Sequence, residues 1–281
     1  MENRYWQLNN HPQGIDFASA LTLEIQKKPN PQDGQILIKN EYLSLDAGTR
    51  MWMTSRTDGY QPPLPLGSMM VGLCLGEVIE SKHPNFKIGD YVRAFGNWAD
   101  YSCVDPIMTG AIKVDRNISD IRQHFGVLGM NGWTALWGLT ETAKIKKGDN
   151  VLISAAAGST GILACQIAAN AGCNVYALSG KDSKCRYLEK NMGVKRAFNY
   201  KTEDLGNEFS KIPNGIDVYF ENVGGPILDN ALPNMALYGR IAISGLISDY
   251  EKDKPTAPQR FDQILMKRLT ITGFFSPDFM D

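Results

Sequence analysis

Up to about residue 118, apolar and polar positions alternate in short runs separated by glycine, proline and aspartate. Alternation over 35–43, 76–80, 90–95 and 98–104, with turns at Gly34, Gly89-Asp90 and Gly96-Asn97, predicts half-buried strands and a β-rich module, a distorted barrel or sandwich. From Ser119 the pattern changes. Ser119-Asp120 is a candidate helix cap, and 131–139 is an apolar helical stretch. After Lys147-Gly148-Asp149, strands at 151–154, 173–178, 196–199, 217–221, 240–244 and 269–274 alternate with helices at 161–171, 182–192, 202–210, 226–237 and 259–267. That alternation predicts an α/β fold, a doubly wound parallel sheet of Rossmann type. The chain therefore divides into 1–125, β-rich, and 126–281, α/β.

The first strand of the series runs into Ala155-Ala156-Ala157-Gly158-Ser159-Thr160-Gly161 and then into an apolar helix. With Gly161 in the last position of a G-x-G-x-x-G turn, only the first glycine is missing. Gly158 lets backbone approach a pyrophosphate, and Gly161 lets the helix pack closely. Ser159 and Thr160 open a helix whose free N–H groups and partial positive charge attract an anion. Small residues also make an ordinary tight βα turn, and the strand–helix series around the motif favours the nucleotide.

A site for NAD places an acid at the end of the second strand, where it binds the ribose 2′-hydroxyl. Here Gly180 stands in that place, followed by Lys181, Lys184 and Arg186, with Asp182 the one acid among them. Cations without that acid suit a 2′-phosphate, so NADP(H) is expected over NAD(H). Ligands lie beyond the carboxyl ends of such strands, which makes Tyr200, Asn222, Gly245, Ser248 and Tyr250 further candidates. Tyr250 has a phenol able to reach a nicotinamide ribose or a substrate oxygen. Trp52, Met53, Tyr60, Met69 and Met70 are apolar enough to line a substrate pocket or to fill a core.

Composition narrows the picture. Twenty-nine basic and thirty acidic residues, a net charge of −1, gather into no block that would bind nucleic acid or an anionic membrane. No apolar stretch has the ~18 residues of a membrane span, and the first twenty residues hold no apolar h-region, so no signal segment is expected. Five cysteines without C-x-x-C spacing suggest neither a disulfide framework nor a zinc knuckle, so a reducing, cytoplasmic setting is expected.

Six segments in order, 43–50, 76–81, 128–135, 154–158, 217–225 and 244–250, resemble motifs of the medium-chain dehydrogenase/reductase superfamily. The likeness is to its zinc-independent branch of leukotriene B4 12-hydroxydehydrogenase/prostaglandin, curcumin and alkenal reductases. It implies a GroES-like first domain, an NADPH-binding second domain, and hydride transfer between them to the β-carbon of a small apolar enone or enal. Gly158 and Gly161 then match the phosphate turn, Lys184 the 2′-phosphate contact, and Tyr200 and Asn222 further cofactor contacts. Met130 and Thr134 match residues beside the nicotinamide, and Tyr250 the tyrosine near the enolate.

The three histidines lack the Gly-His-Glu setting of zinc-dependent relatives, and no metal is expected. At Asp46-Ala47 the sequence departs from the aspartate-proline pair common in the branch. Family members usually continue past the last Rossmann strand and return to the first domain, so a chain ending at Asp281 is expected to lack a strand and a helix there. Quinone reduction and NADPH binding without catalysis are the alternatives. A homodimer formed through the last strand, 269–275, is expected.

Overall fold

The computed structural model describes residues 1–117, 120–250, 252 and 254–279, in two compact units, Met1–Phe125 and Gly126–Asp281. The first unit holds β1 (Glu2–Leu8), β2 (Leu21–Lys27), β3 (Ile36–Leu43), the short α1 (Thr49–Trp52), β4 (Val71–Ser81), β5 (Tyr91–Asn97), β6 (Tyr101–Val104) and β7 (Ile112–Lys113). Five strands form an antiparallel sheet in the order β6-β3-β4-β5-β7, and β1 pairs with β2 in a separate antiparallel hairpin. Ile36, Ile38, Cys74, Val78, Val92 and Ala94 are its fully buried centre.

The hairpin escapes pattern reading because β2 presents its apolar residues outward. Leu23 and Ile25 are both more than half exposed, so no buried face shapes the sequence there. Of the pocket candidates, Met53 and Met70 are buried in a small core with Leu8 and Ala20, while Tyr60 is exposed. Trp52 stands edge-on to Phe95 at 5.3 Å between ring centres. The proposed cap Ser119 lies outside the described residues. Asp120 accepts from Arg122 N–H and opens a single 3-10 turn, Ile121–His124, in place of the expected α-helix.

The second unit begins with α2 (Met130–Trp137), continued by a wider π-type turn, Gly138–Thr142. It then alternates β8 (Asn150–Ile153), α3 (Ser159–Asn170), β9 (Asn174–Ser179), α4 (Asp182–Asn191), β10 (Val194–Asn199), α5 (Leu205–Ser210), β11 (Ile216–Glu221), α6 (Gly225–Ala231), β12 (Met235–Ile243), α7 (Asp262–Lys267) and β13 (Thr270–Gly273). All six strands are parallel, in the order β10-β9-β8-β11-β12-β13. The sheet is a doubly wound Rossmann sheet, and its strand order reverses between β8 and β11.

Alternate residues of one strand serve two cores. Val151, Ile153, Val218 and Phe220 pack with Ala164, Ala168 and Leu188, while Leu152 and Tyr219 pack with Phe209, Leu228 and Leu232. Burial on both faces is the reason these strands read as continuous apolar runs. The helix expected over 226–237 ends at Ala231. Leu232–Asn234 form a 3-10 turn carrying Pro233, and β12 takes the remaining residues. Proline lacks the N–H that would continue the helix. Among the described residues no helix is long and apolar enough to cross a membrane.

Candidate nucleotide-binding site

The strand reversal places the ends of β8 and β11 side by side, and a buried polar knot closes them. Ser154 and Glu221 are fully buried. Ser154 Oγ donates to Glu221 Oε1 at 2.7 Å and accepts the Asn222 N–H at 2.8 Å. The Val223 N–H donates to the same Glu221 oxygen, and Asn222 Nδ2 donates to the Ser154 carbonyl at 2.7 Å. Asn222, a candidate cofactor contact, thus uses an amide hydrogen to tie β11 to β8. Beneath the knot, Tyr219 is completely buried on the same strand face as Glu221, and burial followed by the nearby Glu221 charge raises its phenol far above the usual range.

From Ser154 the chain turns through Ala155, whose φ of +47° is a left-handed conformation held by a residue other than glycine. Gly158 follows in extended geometry as the residue before α3, and no side chain caps the helix. Ser159, Thr160 and Gly161 begin α3, and the first N–H of this helix with an intrahelical partner is that of Ile162, to the Gly158 carbonyl. Their own N–H groups have no intrahelical partner at the positive end of a twelve-residue helix. A Cβ on Gly161 would lie 2.4 Å from the Ala155 carbonyl oxygen and 2.7 Å from Ala156 Cα. Only glycine lets the helix sit this close to its turn.

The ends of β9 and β10 lie next to each other, with Asn199 opposite Ser179. A Cβ on Gly180 would meet the Tyr200 hydroxyl at 2.8 Å and Lys201 Cε at 3.1 Å. Gly180 and Tyr200, distant in sequence, therefore form one small cradle, and Lys201 belongs to it although the sequence did not single it out. Lys184 is exposed in the first turns of α4. The acid at 182 is engaged, since Asp182 Oδ1 accepts from Asn199 Nδ2.

On α2, Met130 and Thr134 lie one turn apart and are both held by Ser276. The Ser276 hydroxyl is 3.0 Å from Thr134 Oγ1 and 3.0 Å from Met130 Sδ, and Asn131 Oδ1 accepts from Thr160 Oγ1 at 2.8 Å. Ser276 has no motif to announce it, and Asn131, inside the 128–135 segment, is not among the expected contacts. Beyond β12, the Tyr250 oxygen accepts the Leu246 N–H at 3.3 Å and would contact a Cβ on Gly245 at 2.9 Å. Burial raises the Tyr250 phenol above its usual range, while the neighbouring Leu246 amide pulls the other way. The Ser248 hydroxyl is shielded from solvent between the β11 and β12 loops, 3.4 Å and 3.2 Å from Cβ positions at Gly224 and Gly225.

Three features fit a dinucleotide: the uncapped α3, the Gly180 cradle and the strand reversal. Comparison with known proteins agrees. Residues 4–114 match the family described as the N-terminal domain of oxidoreductase, and 159–281 match that described as zinc-binding dehydrogenase. The NADPH-dependent curcumin reductase of Escherichia coli (strain K12) is 34% identical over 97% of this chain and 80% of its own. The chain belongs to the zinc-independent branch of the medium-chain dehydrogenase/reductase superfamily.

Other members are similar to the same extent. The 2-alkenal reductase (NADP(+)-dependent) of Nicotiana tabacum is 35% identical over 99% of this chain and 82% of its own. The crystal structure of CurA in complex with NADPH from Vibrio vulnificus superposes with a TM-score of 0.90 at 33% identity, covering 98% of this chain and 82% of that one. Among the described residues no three His, Cys, Asp or Glu side chains gather closely enough to hold a metal ion.

Proposed function

We propose that this member of the family is an NADPH-dependent reductase of the carbon–carbon double bond in α,β-unsaturated ketones and aldehydes. The observation that carries the proposal is the uncapped α3 at the strand reversal, in a chain a third identical along nearly its full length to reductases named for such substrates. Ser159, Thr160 and Gly161 would hold the diphosphate through their N–H groups. Gly180, Lys184 and Tyr200 would surround the 2′-phosphate, and Met130, Thr134, Asn222, Gly245 and Ser248 would flank the nicotinamide half. When bound, NADPH supplies the hydride, so the protein need only orient the acceptor and stabilise negative charge on the carbonyl oxygen.

Tyr250 is the group assigned to that oxygen. The Leu246 N–H occupies one lone pair of its hydroxyl, which leaves the O–H proton to donate. Burial keeps the phenol protonated through the neutral range, as a donor must be. The residues of 1–125 form the substrate-binding domain and those of 126–281 the cofactor domain. A cytoplasmic location and a homodimer formed through β13 complete the reading. Mixing the purified chain with NADPH and a medium-chain 2-alkenal tests the function. Loss of NADPH absorbance with formation of the saturated aldehyde is expected, and turnover of a simple quinone but of no alkenal or enone contradicts it.

A further inference from the structure

Lys201 beside Gly180, and Lys181 and Lys184 after it, favour a 2′-phosphate, yet Asp182 lies two residues from that glycine, in the segment where a carboxylate would oppose one. What separates the two outcomes is Asn199. Its residue is almost wholly buried, at the carboxyl end of β10 opposite Ser179. Its Nδ2 donates to Asp182 Oδ1 at 2.5 Å, and its Oδ1 accepts the Lys201 N–H at 3.1 Å. Its own N–H is bound by Glu203 Oε1 at 2.6 Å, which fixes the backbone from which the amide projects. One side chain thus grips the acid on one flank of the Gly180 cradle and the Tyr200–Lys201 turn on the other.

We propose that Asn199 is a positioning residue for cofactor choice: it holds the Asp182 carboxylate away from the 2′-phosphate and seats Tyr200 and Lys201 against Gly180. The inference rests on the reading of this site as an NADPH site and deepens it. An acid released near a dianionic phosphate repels it, while the same acid accepts a hydrogen bond from the 2′-hydroxyl of NAD. Loss of the Asn199 amide therefore shifts preference and not merely affinity.

Calorimetric binding of NADP+ and NAD+ to the full chain and its variants tests this without reference to turnover. Asn199→Ala is expected to lower the ratio of NADP+ to NAD+ affinity about tenfold, Asp182→Ala alone to leave it within about twofold, and Asp182→Ala added to Asn199→Ala to restore most of it. Asn199→Ser serves the same comparison if Asn199→Ala does not fold. Equal losses for both cofactors in the Asn199 variant, or no recovery on removing Asp182, would make Asn199 a packing residue only and overturn the proposal. A wild-type chain that binds NAD+ as well as NADP+ would instead overturn the NADPH reading beneath it, and wild-type binding is measured first to tell the two failures apart.

Discussion

Tyr250 and Asn222 show how far a residue type alone can be read. A tyrosine after the fifth strand was a candidate because ligands gather at strand ends, and its hydroxyl lies against Gly245 and Leu246 with one lone pair used. Tyr250→Phe is expected to lower kcat at least tenfold on an enone with little change in NADPH affinity, about the weight of one donor aimed at developing charge. Because burial raises this phenol, the wild-type rate should show no loss from its ionisation until pH exceeds 10, the ordinary tyrosine value. The group acts as its protonated form, present below the raised pKa and lost as pH climbs through it. A pH–rate profile with a limb near neutrality that vanishes in Tyr250→Phe would contradict the assignment. The Asn222 amide suits a cofactor contact, and one of its hydrogens joins two strands. A strand-end asparagine looks the same in sequence whether it faces a ligand or its neighbouring strand.

At the scale of elements, the βα series was legible because both faces of the parallel sheet are buried and the turns are punctuated by glycine. Gly158 and Gly161 mark the α3 turn, and the close approach at Gly161 has the form expected of that position. Gly161→Ala should cost about 1–3 kcal/mol in urea unfolding, because the Ala155 backbone cannot yield as a side chain would. The same variant should bind NADPH more weakly, since movement of α3 misaims its free N–H groups; a variant as stable as wild type would refute the packing account. Legibility failed where tertiary context prevailed. In the β1–β2 hairpin, β2 exposes Leu23 and Ile25, and the strand portion of 226–237 is set by pairing of Met235 with Ile216, which local helix preference does not reveal. Ser154 and Glu221 carried one overlooked signal: each is a polar residue ending an apolar, doubly buried strand. Ser276 carried none, because its partners Met130 and Thr134 are more than 140 positions away in the chain.

For the molecule as a whole, three of the five cysteines, Cys74, Cys165 and Cys185, are buried. Burial pushes the Cys74 thiol up to about 11 and the Cys165 thiol up to about 12, and all five are free in the described structure. A thiol reagent at neutral pH should therefore leave Cys74, Cys165 and the buried Cys185 unreacted in native protein and modify them in urea. Rapid native labelling of Cys165 would show that the core around α3 opens far more readily than its packing implies. The claim on which the functional account turns is that the mouth of α3 holds a dinucleotide diphosphate. A crystal structure of the protein grown with saturating NADPH measures this directly. Diphosphate oxygens within hydrogen-bond distance of the Ser159, Thr160 and Gly161 N–H groups, with the 2′-phosphate beside Gly180, are the expected result. A bound cofactor whose diphosphate lies elsewhere on the chain would contradict it.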